Sequence, residues 1–144
     1  MPGIFDNGVV TFQYPENWPL DRQDTEEGWT VSVQSPGTAF LLVSGYTERP
    51  DVSEVLGTTL LAMQQDYPEL EADEVGEKLA GHASKGYDIN FLSLDSVNAC
   101  TIRAFRTPDC TILILAQSSS FDTPTHIAVL EAMRVSLKLT TASD

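Results

Sequence analysis

Residues 39–43, Ala39-Phe40-Leu41-Leu42-Val43, are apolar at every position. A strand packed on one face alternates apolar with polar residues, so an unbroken apolar run is a strand covered on both faces. Shortly after it, Pro50-Asp51-Val52-Ser53-Glu54 opens a helix near 51–67, with Asp51 at the N-cap and Glu54 three residues on. Val52, Val55, Leu56, Leu60, Met63 and Tyr67 fall on one stripe at helical spacing. Pro68 stops the helix, because the residue before a proline avoids the helical region. A two-sided strand beside a helix with one apolar stripe calls for a sheet with layers on both faces.

Upstream, Val10, Phe12 and Tyr14 alternate with Thr11 and Gln13, a half-buried strand that ends at Tyr14-Pro15-Glu16-Asn17-Trp18-Pro19. Leu20 to Gln23 reads as a short second strand, Asp24 to Gly28 as an acidic turn, and Trp29, Val31 and Val33 as the apolar face of a third strand. The alternation places the aromatic group Phe12, Tyr14 and Trp29, with Trp18 nearby, in the core.

Downstream, Leu70 to Leu79 switches apolar parity between Leu70/Ala72 and Val75/Leu79, which predicts a bulge near Asp73-Glu74. Gly81 and Gly86 mark a turn region. Tyr87 to Leu94 forms a longer strand, Ser96-Val97-Asn98 turns, Thr101 to Arg106 returns, and Thr107-Pro108-Asp109 turns again. Ile112 to Ala116 is another two-sided strand. A second helix runs near 123–138, with Thr123 as N-cap, Pro124 first, and Ile127, Leu130, Met133 and Leu137 as its stripe. Hairpin turns join most strands. The expected fold is therefore α+β: one domain over 1–139, a largely antiparallel sheet with helices on both faces, and a polar tail at 140–144.

The chain has 144 residues, of which 42% are hydrophobic, enough for a core without a metal or disulfide staple. Twenty-one acidic residues against eight basic ones leave a formal charge of −13. With no basic cluster to track phosphates, nucleic acid and anionic membranes are poor partners. The acidity serves solubility, or a basic protein partner. No run of about 18 apolar residues would span a membrane. The opening residues show no basic region followed by an apolar run, so the expectation is a cytoplasmic protein with Cys100 and Cys110 as free thiols. A hairpin turn at Pro108-Asp109 would set Cys110 beside Thr107 and leave Cys100 out of reach.

Ser118, Ser119, Ser120, Asp122 and His126 contain the residue types of a hydrolase triad, but no Gly-x-Ser-x-Gly elbow accompanies them. His82 and His126 are 44 positions apart, with no Cys/His cluster around either to make a zinc site. The acidic run Glu69, Glu71, Asp73, Glu74 and Glu77 lacks the calcium-loop pattern. No Gly-rich phosphate cradle occurs. No cofactor or metal is expected.

Asp88, Asn90, Arg103 and Arg106 are polar residues on otherwise apolar strands. They pair internally, or they form a charged sheet surface that orients a protein partner. Tyr14-Pro15-Glu16-Asn17-Trp18 after a first alternating strand resembles the opening of the PsbP-like fold family. The later order is similar too: a helix ending at Tyr67-Pro68, a Gly81…Gly86-Tyr87-Asp88 stretch, two more strands and a C-terminal helix. The family includes a photosystem extrinsic subunit, a Ran-binding nuclear import factor, and bacterial DcrB-like and secretion-chaperone relatives. The resemblance implies an α/β/α sandwich and a non-catalytic protein-binding or adaptor role, with no shared catalytic set; the protein is expected as a monomer or a homodimer joined through a sheet face. The alternative is a small hydrolase-like enzyme with a site of scattered Ser, His and Asp residues.

Overall fold

The computed structural model describes residues 2–140. Ten strands and two helices follow one another as β1 (Pro2–Asp6), β2 (Val10–Pro15), β3 (Leu20–Thr25), β4 (Gly28–Gln34), β5 (Phe40–Tyr46), α1 (Val52–Asp66), β6 (Glu71–Leu79), β7 (His82–Ser93), β8 (Ser96–Arg106), β9 (Thr111–Ser119), α2 (Pro124–Ser136) and β10 (Lys138–Leu139). Seven strands form the main sheet in the order β3-β4-β5-β9-β8-β7-β6, and β1-β2-β10 form a small one. Every neighbouring pair is antiparallel.

The two-sided reading of the central strands holds. Leu41, Val43, Ile112 and Ile114 face one way, into a core shared with Phe12 of β2 and with Leu130 and Met133 of α2. Ile89, Ile102 and Leu113 face the other way, against Val55 and Leu56 of α1. The layers are thus α1, the seven-stranded sheet, and α2 together with the small sheet. Trp18 is buried in the α2-side core, where Tyr14 and Trp29 also pack. Its backbone N–H donates to the Pro15 carbonyl at 3.0 Å, closing the turn that the two prolines impose.

Several local expectations need correction. β6 pairs with β7 in one unbroken register from Glu71↔Asn90 to Leu79↔His82, so no bulge interrupts it. The parity switch has another cause: Ala72 packs on the α1 side while Leu79 enters the α2-side core. Gly86 lies inside β7 rather than in a turn, and it is a glycine there because a Cβ would sit 1.8 Å from the Ile102 carbonyl oxygen. The turn placed at Ser96-Val97-Asn98 comes earlier: Leu94 carries it with φ of 55°, and Ser93 pairs with Ser96. Ile127 is exposed, and Asp51 holds the α1 N-cap position without a side-chain cap bond. By contrast, Thr123 Oγ1 caps α2 by accepting the His126 N–H at 3.1 Å. Strands β1 and β10 carry too little alternation to stand out in the sequence. The tail expected at 140–144 lies, apart from Thr140, outside the described residues.

Gly45 of β5 is buried opposite Trp29, and a Cβ at that position would meet the indole at 2.4 Å. Gly45→Val is expected to expel the Trp29 ring and cost roughly 2 kcal/mol through overpacking. Denaturant unfolding and a red-shifted tryptophan emission would report it; unchanged stability and emission would show that the ring does not depend on this gap.

Candidate functional site

The four polar strand residues do not share one face. Successive residues of a strand point to opposite faces, and the register Asp88↔Thr101 and Gly86↔Arg103 puts Asp88, Asn90 and Arg103 on the α2 side. Arg106 has the other parity. It faces the α1 side, where its guanidinium donates to the Arg49 carbonyl. The four therefore do not form one surface: Arg106 lies on the opposite face from Asp88, Asn90 and Arg103.

Arg103 is only 5% exposed and spends its guanidinium inside the protein. Nε donates to Glu77 at 2.8 Å, Nη2 to Asp88 at 2.9 Å, and Nη1 to the Tyr87 and Ile102 carbonyls. Glu77 also accepts from Arg134 of α2, itself 4% exposed and paired with Glu131. Two buried guanidiniums and three carboxylates thus tie α2 to β6, β7 and β8. The hydrogen bond from Arg134 is the main reason the Glu77 carboxyl is held below its ordinary range; burial opposes it and Arg103 adds to it. Arg134 went unnoticed in the sequence. Its position four residues after the buried Leu130 and three before Leu137 was the available signal.

Beyond this network the α2-side face of the sheet is bare. Its rows read Asp88–Thr101, Asn90–Ala99 and Leu92–Val97 across β7 and β8, with Asp73 and Glu71 of β6 alongside the first two. Asn90 and Ala99 are exposed, and Leu92 and Val97 are 73% and 56% exposed. A groove of about 590 Å³ opens beside them, between the α1–β6 connection at Tyr67–Leu70 and the β7–β8 hairpin.

The triad-like residues do not assemble. Asp122 spends both carboxylate oxygens on four donors: the Thr38 and Ala39 N–H groups, the Thr38 hydroxyl and the Ser119 N–H. The Ser119 hydroxyl pairs with Thr38 Oγ1 and accepts from the Phe121 N–H. The His126 ring instead packs edge-on against Trp18, with 5.6 Å between centroids. Burial pushes the Asp122 carboxyl up, but the hydrogen bonds from Thr38, Ser119 and Ala39 outweigh it and hold its pKa below the ordinary value. This cluster ties the β4–β5 turn to the β9–α2 loop.

His82 stacks on Phe105 at 5.2 Å, and its Nδ1 lies 3.1 Å from the Ala80 carbonyl. Among the described residues, no group of three or more His, Cys, Asp or Glu side chains could hold a metal ion. The two thiols sit in separate cores on opposite sides of the sheet, with Thr107 bonded to Cys110 across the hairpin turn. Burial pushes Cys100 up to about 12 and raises Cys110 too. Among the described residues no helix is long and apolar enough to cross a membrane.

No known family model matches the sequence, and no curated protein matches it. Solved structures do share the fold. The chain superposes on the cyanobacterial PsbP, CyanoP, of Synechocystis sp. PCC 6803 with a TM-score of 0.58 at 9% identity, over 96% of this chain and 91% of that one. LpqN, involved in cell envelope biogenesis of Mycobacterium tuberculosis, superposes with 0.56 at 11% identity, over 97% and 91%. A protein of unknown function from Pseudomonas aeruginosa, PA94, gives 0.50 at 13%, over 92% and 94%. The fold is thus PsbP-like, as the sequence resemblance implied.

Asp122→Ala is expected to cost about 3 kcal/mol, because four donors, two of them buried, lose a charged acceptor. The pH dependence has a definite sign. A carboxylate whose folded pKa is depressed stabilises the fold above its unfolded pKa of about 4, and that contribution is lost as pH falls through the folded value. Wild-type stability, measured by urea unfolding, should therefore drop below about pH 4. The variant, lacking Asp122's share, should show a shallower acid slope; equal slopes would refute the role given to this carboxylate.

Proposed function

We propose that this protein is a cytoplasmic, non-catalytic binding module that holds another polypeptide on the bare end of its main sheet. The observation that carries this reading is the Leu92–Val97 cross-strand pair, exposed at 73% and 56% on a rigid sheet beside Asn90 and Ala99. Apolar side chains grouped in the open mark interaction sites far more often than scattered ones do. The residue types that suggested chemistry are absorbed elsewhere: Asp122 and Ser119 hold loops together and His126 packs on Trp18. Asp88 and Asn90 supply polar contacts at the surface. Arg103 works from beneath, fixing Asp88, and Arg106 has no part in it. Two buried, unpaired thiols suit a reducing compartment and support the cytoplasmic location.

Asn90→Arg combined with Ala99→Arg alters only exposed positions on this face. Thermal unfolding is expected to stay as in the wild type, while affinity for a partner captured by the wild-type protein falls at least ~10-fold, about 1.4 kcal/mol. Equal capture by both proteins would refute the surface. Turnover of an ester or peptide substrate that requires Ser119 or His126 would refute the non-catalytic class.

A further inference from the structure

From the groove beside the bare sheet end we infer that the partner segment is cationic and amphipathic: a stretch of polypeptide with Lys or Arg side chains around one or two apolar anchors. The inference rests on the binding reading above and adds the chemistry of what is bound.

The groove has an apolar floor and an acidic rim. Leu92 and Val97 line it from the α2 face, and Tyr67 and Leu70, which pack with the α1-side core, line it across the open sheet edge, where Tyr67 is stacked on Phe91 at 4.1 Å. Asp66, Glu69 and Glu71 stand on the rim, and no Lys or Arg lines it. Asp73 continues the acidic row along β6, in register with Asp88. The nearest guanidinium on this face, Arg103, is buried and committed to Glu77 and Asp88, so it offers nothing to an anion. An incoming cation would meet several carboxylates without displacing an internal pair. Such a field speeds encounter and selects partners by sign, while the apolar floor supplies the buried area.

The β7–β8 hairpin adds an independent observation. Leu94 is fully exposed and held at φ 55° in its turn. A left-handed backbone costs a leucine about 1–2 kcal/mol, and glycine or asparagine would avoid that. The Leu94 side chain is fully exposed and so gains no burial in return. Together with Leu92, Val97 and Phe121, which is 66% exposed and follows the Ser120–Val97 backbone link, it extends the apolar floor to the hairpin tip. Among the described residues, β7 beyond Asn90 has no strand on its outer side, because β6 begins at Glu71. An extended segment therefore finds open backbone at 91–93 as well as side chains.

The test uses the full chain and two synthetic peptides, one alternating Lys and Leu, the other the same with Glu in place of Lys. Binding is followed by amide chemical shifts and calorimetry at low and high salt. The Lys peptide should bind, shift the amides of Glu71, Asn90, Leu92 and Val97, and weaken several-fold with salt; the Glu peptide should not. Glu69→Lys with Glu71→Lys should weaken binding at least 10-fold. Glu26→Lys with Glu27→Lys, the same charge change at the distant β3–β4 turn, should have little effect. If both reversals weaken binding equally, net charge alone is responsible and the inference fails. It fails too if Leu92→Ser with Val97→Ser leaves affinity unchanged. Self-association of the free protein that this last pair abolishes would assign the groove to a second copy instead. A natural partner that depends on Asn90 and Ala99 but carries no basic segment would overturn the cationic chemistry and leave the binding reading standing. If no polypeptide partner depends on Asn90 and Ala99, the binding reading itself is overturned.

Discussion

Burial on both faces of the central strands is the constraint from which the rest of this structure follows. Ile112, Leu113 and Ile114 are consecutive and all buried, so neighbouring side chains on opposite faces both need a covering layer. α1 covers one face. α2 and the small β1-β2-β10 sheet share the other. The two sides are not covered to the same extent. Strand β7, with 12 residues, runs about 40 Å at the usual rise of a strand. Helix α2, with 13 residues, spans only about 20 Å at the rise of a helix. It packs on β2, β5 and β9, and the far ends of β6, β7 and β8 extend past it. The bare sheet end is thus a consequence of element lengths, and its sequence is what makes it sticky rather than inert.

The ion network marks where cover stops. Two guanidiniums nearly out of water are costly, and their pairing with Glu77, Asp88 and Glu131 offsets much of that cost without making it a large net gain. What such a network contributes is position. Removing Arg103 would leave Asp88 without its cation and Glu77 with Arg134 alone, and removing Glu77 would cut the carboxylate that joins the two guanidiniums. α2 therefore has one register on the sheet. The same network keeps Asp88 at the border, with one oxygen on Arg103 and its side chain half exposed.

Much of this was legible in the sequence. The two helices, the two-sided strands and the hairpin at Thr107–Cys110 follow from periodicity, caps and turn residues, which are local. The misses are each non-local or against type. Strand β1 forms because β2 is there to pair with it. The parity switch at Ala72 and Leu79 looked like a bulge because a strand that enters a different core on each face has no signature of its own. The Leu94 turn was misplaced because nothing in leucine announces a left-handed backbone. At the candidate site, Asp88 and Arg103 were found as polar residues on apolar strands, and the pair is real at 2.9 Å. Arg106 was grouped with them wrongly, since three positions along one strand from Arg103 turn a side chain to the opposite face.

The placement of the reactive residue types bears on function as much as the bare surface does. A general base needs a lone pair free to take a proton. Asp122 has four donors on its two oxygens and a depressed pKa, so it resists protonation where a base must accept it. A nucleophilic thiol needs an accessible thiolate, and burial raises both cysteines instead. Each of these groups is committed to holding two segments together or filling a core. Asn90, Leu92, Leu94 and Val97, by contrast, are exposed and lie together at one end of the main sheet. For the binding role proposed above, such a surface supplies contact area.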